Sequence, residues 1–342
     1  MRILVGMSGG LDSTYAALKL LDEGHSVEGA VLVMHDFTDV ADAIAAADAI
    51  GINIHVIDCT ADFAAVKDNF VSEYRSGRTP NPCIICNPLV KFRRLKNFAV
   101  ENGFDKIATG HYARVEKVGD SDGERYALLK AKDSRKDQTY MLYRLPEDIL
   151  SMLVLPLADD VKTDVRAEAE KIGLAVASKK ESQEICFIPD GDYAEYIESK
   201  TGAMPAGNFV DNEGNVLGKH KGIIRYTVGQ RKGLGISLGE RVFVTGINAA
   251  ENTVTLSPEA SLTDRVSVSD IVFTGMKPAY DGEQRRISVK LRYQAPAVPA
   301  TAVFTADGRA TVITDAPQRS VTPGQSAVMY DGEVLLAGGF ID

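Results

Sequence analysis

Two stretches of this chain combine residue types at spacings that do chemistry. Gly6-Met7-Ser8-Gly9-Gly10-Leu11-Asp12-Ser13 follows the apolar run Ile3-Leu4-Val5 and leads into a helical period near Ser13. Adjacent glycines let backbone N–H groups close on an anion, and a helix N-terminus adds the positive end of its dipole. A phosphate or pyrophosphate suits such a cradle. No Lys-Ser/Thr pair follows the glycines, so the loop is not a Walker A sequence, and it lacks dinucleotide-fingerprint spacing. The second stretch, Arg78-Thr79-Pro80-Asn81-Pro82-Cys83-Ile84-Ile85-Cys86-Asn87-Pro88, carries two thiols. Its prolines fix φ and disfavour helix, which predicts a stiff loop. A Cys-x-x-Cys pair serves as a redox dithiol, half of a zinc site or part of an iron–sulfur site. Zinc is disfavoured because no second Cys-x-x-Cys or His pair completes the ligand set. A purely structural reading also stands, with Ile84 and Ile85 tucking the loop into apolar surface. A third thiol, Cys186, lies in Ser182-Gln183-Glu184-Ile185-Cys186-Phe187-Ile188 between apolar neighbours, which suits a core cysteine as well as a nucleophile. Cys59, ending an apolar strand, reads as core.

These groups need a scaffold. Arg2–Gly6, Ser26–Met34, Asn53–Asp58 and Lys106–Thr109 read as strands. Asp12–Glu23, Val40–Ile50, Asp62–Arg75 and Leu89–Asn102 read as the helices between them, and Val161–Gly173 as a later one closed by Gly173. Such alternation predicts an α/β fold, a parallel sheet with helices on both faces and ligands at the carboxyl ends of its strands. The glycine loop and Thr109-Gly110-His111 both fall at strand ends, where they could meet on one nucleotide. Beyond about residue 202 the helical period gives way to short alternating strands such as Arg241–Ile247, Thr253–Ser257, Ile287–Tyr293, Ala310–Thr314 and Ala327–Tyr330. The expected organisation is a catalytic domain over 1–201 and two small β-rich modules over 202–262 and 263–342, the last a β-barrel.

With 342 residues, 45% of them hydrophobic, the chain can build two or three ordered cores. No apolar run approaches the roughly 18 residues of a membrane span, and Met1-Arg2-Ile3 runs straight into a core strand. Four cysteines are too sparse to staple a secreted fold of this size. A reducing cytoplasmic setting is expected, with no membrane partner. The net charge of −9 argues against a nucleic-acid partner until its distribution is considered. Lys219, Lys221, Arg225, Arg231, Lys232 and Arg241 form one basic run, and Arg285, Arg286, Lys290 and Arg292 another. Solvated surface charge explains either run alone equally well.

Taken in order, these motifs resemble those of the tRNA-specific 2-thiouridylases, members of the PP-loop ATP pyrophosphatase superfamily. The resemblance covers essentially the whole chain. It is carried by the glycine loop, Thr79-Pro80-Asn81-Pro82 with Cys86-Asn87, Ala108-Thr109-Gly110-His111-Tyr112, Lys136-Asp137-Gln138-Thr139-Tyr140 and Ile185-Cys186-Phe187-Ile188. Tyr226-Thr227-Val228-Gly229-Gln230-Arg231-Lys232-Gly233-Leu234-Gly235, Lys290-Leu291-Arg292-Tyr293 and Thr322-Pro323-Gly324-Gln325-Ser326 complete it. The resemblance implies ATP on Gly6, Met7, Ser8, Gly9, Gly10, Leu11, Asp12 and Ser13, with Leu32 and Gly110 on the adenosine side and Mg²⁺ at the phosphates. It implies thiolation of a wobble uridine of tRNA: the uracil oxygen is adenylated, then a persulfide on Cys186 delivers sulfur with Cys86 as partner nucleophile. Asn81, Pro82 and Cys83 would meet the target base. His111, Lys136, Asp137, Gln138, Arg292, Tyr293 and Gln325 would meet tRNA. A persulfide or sulfide donor protein is a further implied partner, and DNA is not.

Two departures stand out. Cys83 occupies the place of an Asp in better-known members, so a general-base role does not transfer. The segment after Leu32 is also short, since His35-Asp36-Phe37 runs quickly into the next helix. The extra thiol raises an alternative in which Cys83, Cys86 and Cys186 ligate a four-iron four-sulfur cluster whose fourth iron carries sulfide. Two other functions compete: a PP-loop ligase in which ammonia attacks an adenylate, and a non-catalytic tRNA-binding adaptor.

Overall fold

The computed structural model describes residues 1–120, 123–178 and 185–342, so Ser182, Gln183 and Glu184 of the Cys186 motif lie outside the described residues. The first unit opens with β1 (Arg2–Gly6), α1 (Leu11–Asp22), β2 (Ser26–Val33), α2 (Val40–Ala49), β3 (Ile54–Asp58) and α3 (Thr60–Arg75). It continues with α4 (Pro82–Cys86), α5 (Phe92–Glu101), β4 (Lys106–Thr109), β5 (Arg114–Asp120), β6 (Gly123–Leu129), α6 (Thr139–Leu142), α7 (Glu147–Leu150), β7 (Leu153–Val154), α8 (Lys162–Lys171) and α9 (Tyr193–Thr201). Five strands form a sheet in the order β3-β2-β1-β4-β7, every pairing parallel. Ile3, Leu4 and Val5 are fully buried because helices cover both faces of β1. The order reverses between β1 and β4, so their carboxyl ends flank a topological switch point. The expected sheet is thus present.

The thiol loop departs from expectation. Pro82 does not suppress helix but starts one, at the first position of α4, where its missing N–H costs nothing. Asn81 caps it by accepting the Cys83 N–H at 3.1 Å. The chain then makes a π-helical turn over Asn87–Lys91, absorbing Pro88, before settling into α5. Cys83 and Cys86 therefore sit on a short rigid helix rather than in extended loop.

The second module is a four-stranded sheet of β8 (Gly207–Val210), β9 (Val216–His220), β10 (Phe243–Asn248) and β11 (Thr253–Ser257) in the order β10-β11-β8-β9. The third is built from β12 (Leu262–Phe273), β13 (Gln284–Lys290), β14 (Val298–Phe304), β15 (Ala310–Arg319), β16 (Ser326–Asp331) and β17 (Val334–Ile341). Pairing of β12 with both β15 and β17 closes these six strands into an antiparallel barrel. The β5–β6 hairpin, unforeseen from sequence, reaches this barrel through Leu129 opposite Val334.

Strand β16 explains how barrel and sheet domain hold together. Its first five residues are all buried, which a half-exposed barrel strand would not need. Ala327 and Met329 fill the barrel core, while Val328 and Tyr330 point the other way into the core of the first unit. The hydroxyls of Tyr140 and Tyr143 reach Ser326, the first at the carbonyl (3.0 Å) and the second at the side chain (3.1 Å). A second tie falls on the thiol loop. The Thr79 N–H donates to the Pro323 carbonyl at 2.9 Å, and Gln325 Nε2 donates to the Thr79 carbonyl at 2.7 Å. Thr79 Oγ1 donates to Thr227 Oγ1 at 3.2 Å, which brings in the middle module.

Gly324 makes this approach achievable. Its φ is +86°, and a Cβ there would lie 2.8 Å from the Thr79 nitrogen. Gly332 has a φ of +57° but open space around it, so it isolates the backbone cost. Gly324→Ala is expected to destabilise by more than about 1 kcal/mol and clearly more than Gly332→Ala, measured by thermal or denaturant unfolding.

Candidate active site

The glycine loop turns from β1 into α1 with Gly10 as the N-cap. Gly10 has no side chain to cap the helix, so the first-turn N–H groups keep their anion-binding capacity. Ser13 Oγ accepts the Ser8 N–H at 3.2 Å and donates to the Gly10 carbonyl at 3.1 Å, which shapes the turn. Gly9 has φ +69°, and a Cβ on it would lie 2.6 Å from the Asp42 carbonyl carbon. Met7 and Leu11 are buried and serve as packing. Leu32 is also buried, near the carboxyl end of β2. At Gly110 an added Cβ would meet the Asp12 main chain at 2.5 Å. The absence of a side chain there lets the end of β4 press against the start of α1.

Asp12 anchors a charge cluster. Its Oδ1 accepts from Lys162 Nζ at 2.5 Å and from the Tyr112 hydroxyl at 3.0 Å. Sequence reasoning singled out neither Lys162 nor the Tyr112 hydroxyl for this site. A signal existed: Lys162 is the first residue of α8, where a cation opposes the helix dipole and needs a local reason.

The thiols gather at the same carboxyl edge of the sheet. Met34, just beyond β2, has its sulfur 3.7 Å from Cys86 Sγ. Cys86 is buried, and burial pushes its thiol up to about 12; Lys91 opposes the rise, while Cys83 and Cys186 add to it. Cys186 reaches the surface, yet desolvation by surrounding protein pushes its thiol up to about 11, with Cys83 adding and Lys91 opposing. The three cysteines are thus electrostatic neighbours, and Lys91 acts on both Cys86 and Cys186. Lys91 supplies the cation that thiolate chemistry calls for, and its place on the π-helical turn explains why helical spacing did not reveal it. Cys59 is buried, as its position predicts. Among the described residues, no three His, Cys, Asp or Glu side chains are placed to hold a metal ion.

Sequence comparison connects this geometry to known proteins. The family described as tRNA methyl transferase HUP domain matches residues 1–190, its PRC-barrel domain residues 194–258, and the aminomethyltransferase beta-barrel domain residues 263–341. The tRNA-specific 2-thiouridylase MnmA of Acetivibrio thermocellus is 43% identical over 358 residues, covering 99% of each chain. That of Clostridium beijerinckii is 44% identical over 360 residues, covering all of this chain and 98% of the relative. The chain belongs to the tRNA-specific 2-thiouridylase family. The family domains carry a methyl-transferase description, whereas the relatives are named for thiolation. A glycine-rich anion loop beside three thiols fits the second name. Neither an amide ligase nor a non-catalytic adaptor matches this membership. Among the described residues no helix is long and apolar enough to cross a membrane.

Within this thiouridylase fold, several residues expected at tRNA have their polar atoms engaged inside the chain. Gln138 clamps the Tyr112 main chain, its N–H on the carbonyl (2.8 Å) and its Oε1 on the N–H (2.9 Å). Asp137 is buried and accepts from the Ala131 N–H and the Thr139 hydroxyl. Lys136 and Tyr293 are half-buried. Arg292 Nη2 donates to the Ser320 carbonyl and to Thr322 Oγ1, and Gln325 holds Thr79. Burial, then Lys91, lowers His111 to about 3, so its ring is neutral; Nδ1 lies 2.8 Å from Thr109 Oγ1. Asn81, Pro82 and Cys83 line the start of α4, with Cys83 exposed. Of the basic runs, Arg285 pairs with Glu283, Arg286 with Asp315 and Arg225 with Glu198. Lys219, Lys221, Arg231, Lys232 and Arg241 are exposed with no ion pair among the described residues.

Because only the thiolate reacts, alkylation of Cys86 by iodoacetamide should be slow at pH 7 and rise about tenfold per pH unit towards pH 12. Cys186 should level off about one unit earlier. Lys91→Met should shift both profiles to higher pH. Peptide mass spectrometry of timed quenches reads all three.

Proposed function

We propose that this chain catalyses ATP-dependent 2-thiolation of the wobble uridine of tRNA. The observation that carries the reading is the meeting, at one sheet edge, of an uncapped glycine-loop helix with thiols gathered around Lys91. Carbonyl oxygen is a poor leaving group, so direct exchange for sulfur is slow. ATP on the glycine loop solves this: the uracil O2 attacks the α-phosphorus, pyrophosphate leaves, and C2 now bears an O-linked AMP. First-turn N–H groups of α1 hold phosphate oxygens through this step. Asp12, one-third exposed, and the Ser8 and Ser13 hydroxyls, 3.4 Å apart, are hard oxygen donors of the kind that suits Mg²⁺. When bound, the metal neutralises charge on the phosphates.

Sulfur then arrives as a persulfide on Cys186, loaded by a donor protein. Its terminal sulfur attacks C2 and AMP departs, leaving C2–S–S–Cys186. Cys86 thiolate attacks Cys186 Sγ, which releases the 2-thiocarbonyl and forms a Cys86–Cys186 disulfide. An external thiol reduces that disulfide. Cys83, exposed at the start of α4, and Asn81, which caps that helix, are assigned to the target base in this reading. The five unpaired cations of the middle module supply a phosphate-binding surface, so tRNA affinity should fall steeply with salt.

Cys86→Ser and Cys186→Ser are each expected to lower thiolation more than 100-fold while tRNA-stimulated pyrophosphate release persists. Asp12→Ala is expected to lose pyrophosphate release itself. Nucleoside mass spectrometry and a phosphate-coupled assay measure the two steps separately. Activity within a few-fold of wild type in both cysteine variants would refute the sulfur route.

A further inference from the structure

The charge cluster at Asp12 points to one more residue. We propose that Lys162 is a phosphate-binding residue of the nucleotide site, held by Asp12 until ATP arrives. The inference rests on the reading that ATP occupies the glycine loop. Lys162 is only 6% exposed, and it sits at the first position of α8, where the helix dipole disfavours a cation. Burying an ammonium there for stability alone would be a poor arrangement, since an apolar residue would pack without the desolvation cost. Its main chain is fixed by a hydrogen bond from the Lys162 N–H to Asp133 Oδ2 at 3.2 Å. Its Nζ lies 2.5 Å from Asp12 Oδ1, on the first turn of the helix whose N-terminus forms the anion cradle.

Tyr112 limits where that ammonium can go. Its hydroxyl donates to the same carboxylate oxygen at 3.0 Å, and its ring lies 5.9 Å from Nζ. Tyr112 is in turn held by Gln138, and the Asp12 main chain is fixed by contact with Gly110. The carboxylate is thus positioned from two sides, while the long lysine side chain has rotatable bonds that the main-chain tie to Asp133 leaves unfixed. When a triphosphate enters, the ammonium can exchange its carboxylate for phosphate oxygens with little movement. Asp12, relieved of the lysine, is then available to a metal. One ion pair stores both charges in their working places and avoids an unpaired buried ammonium in the empty enzyme.

The test compares ATP and adenosine binding, by equilibrium dialysis with radiolabelled ligand, in wild type, Lys162→Met, Lys162→Gln and Lys162→Arg. Lys162→Met should weaken ATP roughly 10- to 100-fold, as expected for losing a charge-assisted contact, and leave adenosine unchanged. Lys162→Gln, which can still donate to Asp12, should show the same selective loss even if the Met variant folds poorly. Lys162→Arg should recover part of the ATP affinity. Equal ATP affinity in wild type and the folded Gln variant would overturn the proposal, as would a parallel loss of ATP and adenosine. Failure of the wild type itself to bind ATP would overturn the underlying reading instead.

Discussion

The position of the thiol helix depends on a single residue that contributes nothing to chemistry, Thr79. Its N–H and C=O are both taken by the barrel segment Pro323–Gln325, and its hydroxyl by Thr227 of the middle module. Three modules are therefore joined at the residue four positions before Cys83. Hydrogen bonds of this sort contribute about 1 kcal/mol each, so their value here is directional more than energetic. They set where α4 begins, and Asn81 and Pro82 then start the helix that aims both thiols. RNA bound on the β-modules would act on the thiols through this joint.

This arrangement changes the meaning of several motif residues. Arg292 and Gln325 sit in segments that the family resemblance assigns to tRNA, yet their donors hold the β-modules and the thiol loop together. Gln138 likewise fixes Tyr112, whose hydroxyl steadies Asp12. These hydrogen bonds fix the surfaces that the proposed reading assigns to tRNA. The charges that remain exposed on the middle module are better placed to meet phosphates directly.

Much of the first unit was legible because its central strands β1, β2 and β4 are largely buried on both faces and its helices are amphipathic. β1 and β4 fall on their expected residues, and α2 and α3 within two residues of them. The glycine loop was legible because its chemistry is local. What escaped was non-local. Pro82 reads as a helix breaker unless the capping Asn81 before it is weighed. The hairpin β5–β6 carries a turn signal in Gly119-Asp120-Ser121-Asp122-Gly123 that the helix–strand alternation on either side overshadowed, and its role appears only where it meets the barrel. Lys162 lies 150 residues from Asp12, a partnership that no spacing rule reveals. The continuous burial of β16 also escaped, since one strand serving two cores looks like any apolar run.

The raised thiols bear on timing in the proposed reaction. With Cys86 pushed up to about 12, only roughly one molecule in 10⁵ carries the thiolate at pH 7. That looks poor for a nucleophile, but a reactive Cys86 beside a loaded Cys186 would be worse. It would attack the persulfide at once, forming the disulfide and discarding the sulfur as sulfide before any base was activated. A persulfide is a stronger acid than its parent thiol, so the burial that restrains Cys86 restrains loaded Cys186 far less. The first attack, by the persulfide on C2, is then favoured over the premature one. Lys91, central to both cysteines, is the group able to favour the Cys86 thiolate later. In the proposed reaction, desolvation that suppresses a nucleophile in the resting enzyme would thereby set the order of the two sulfur transfers.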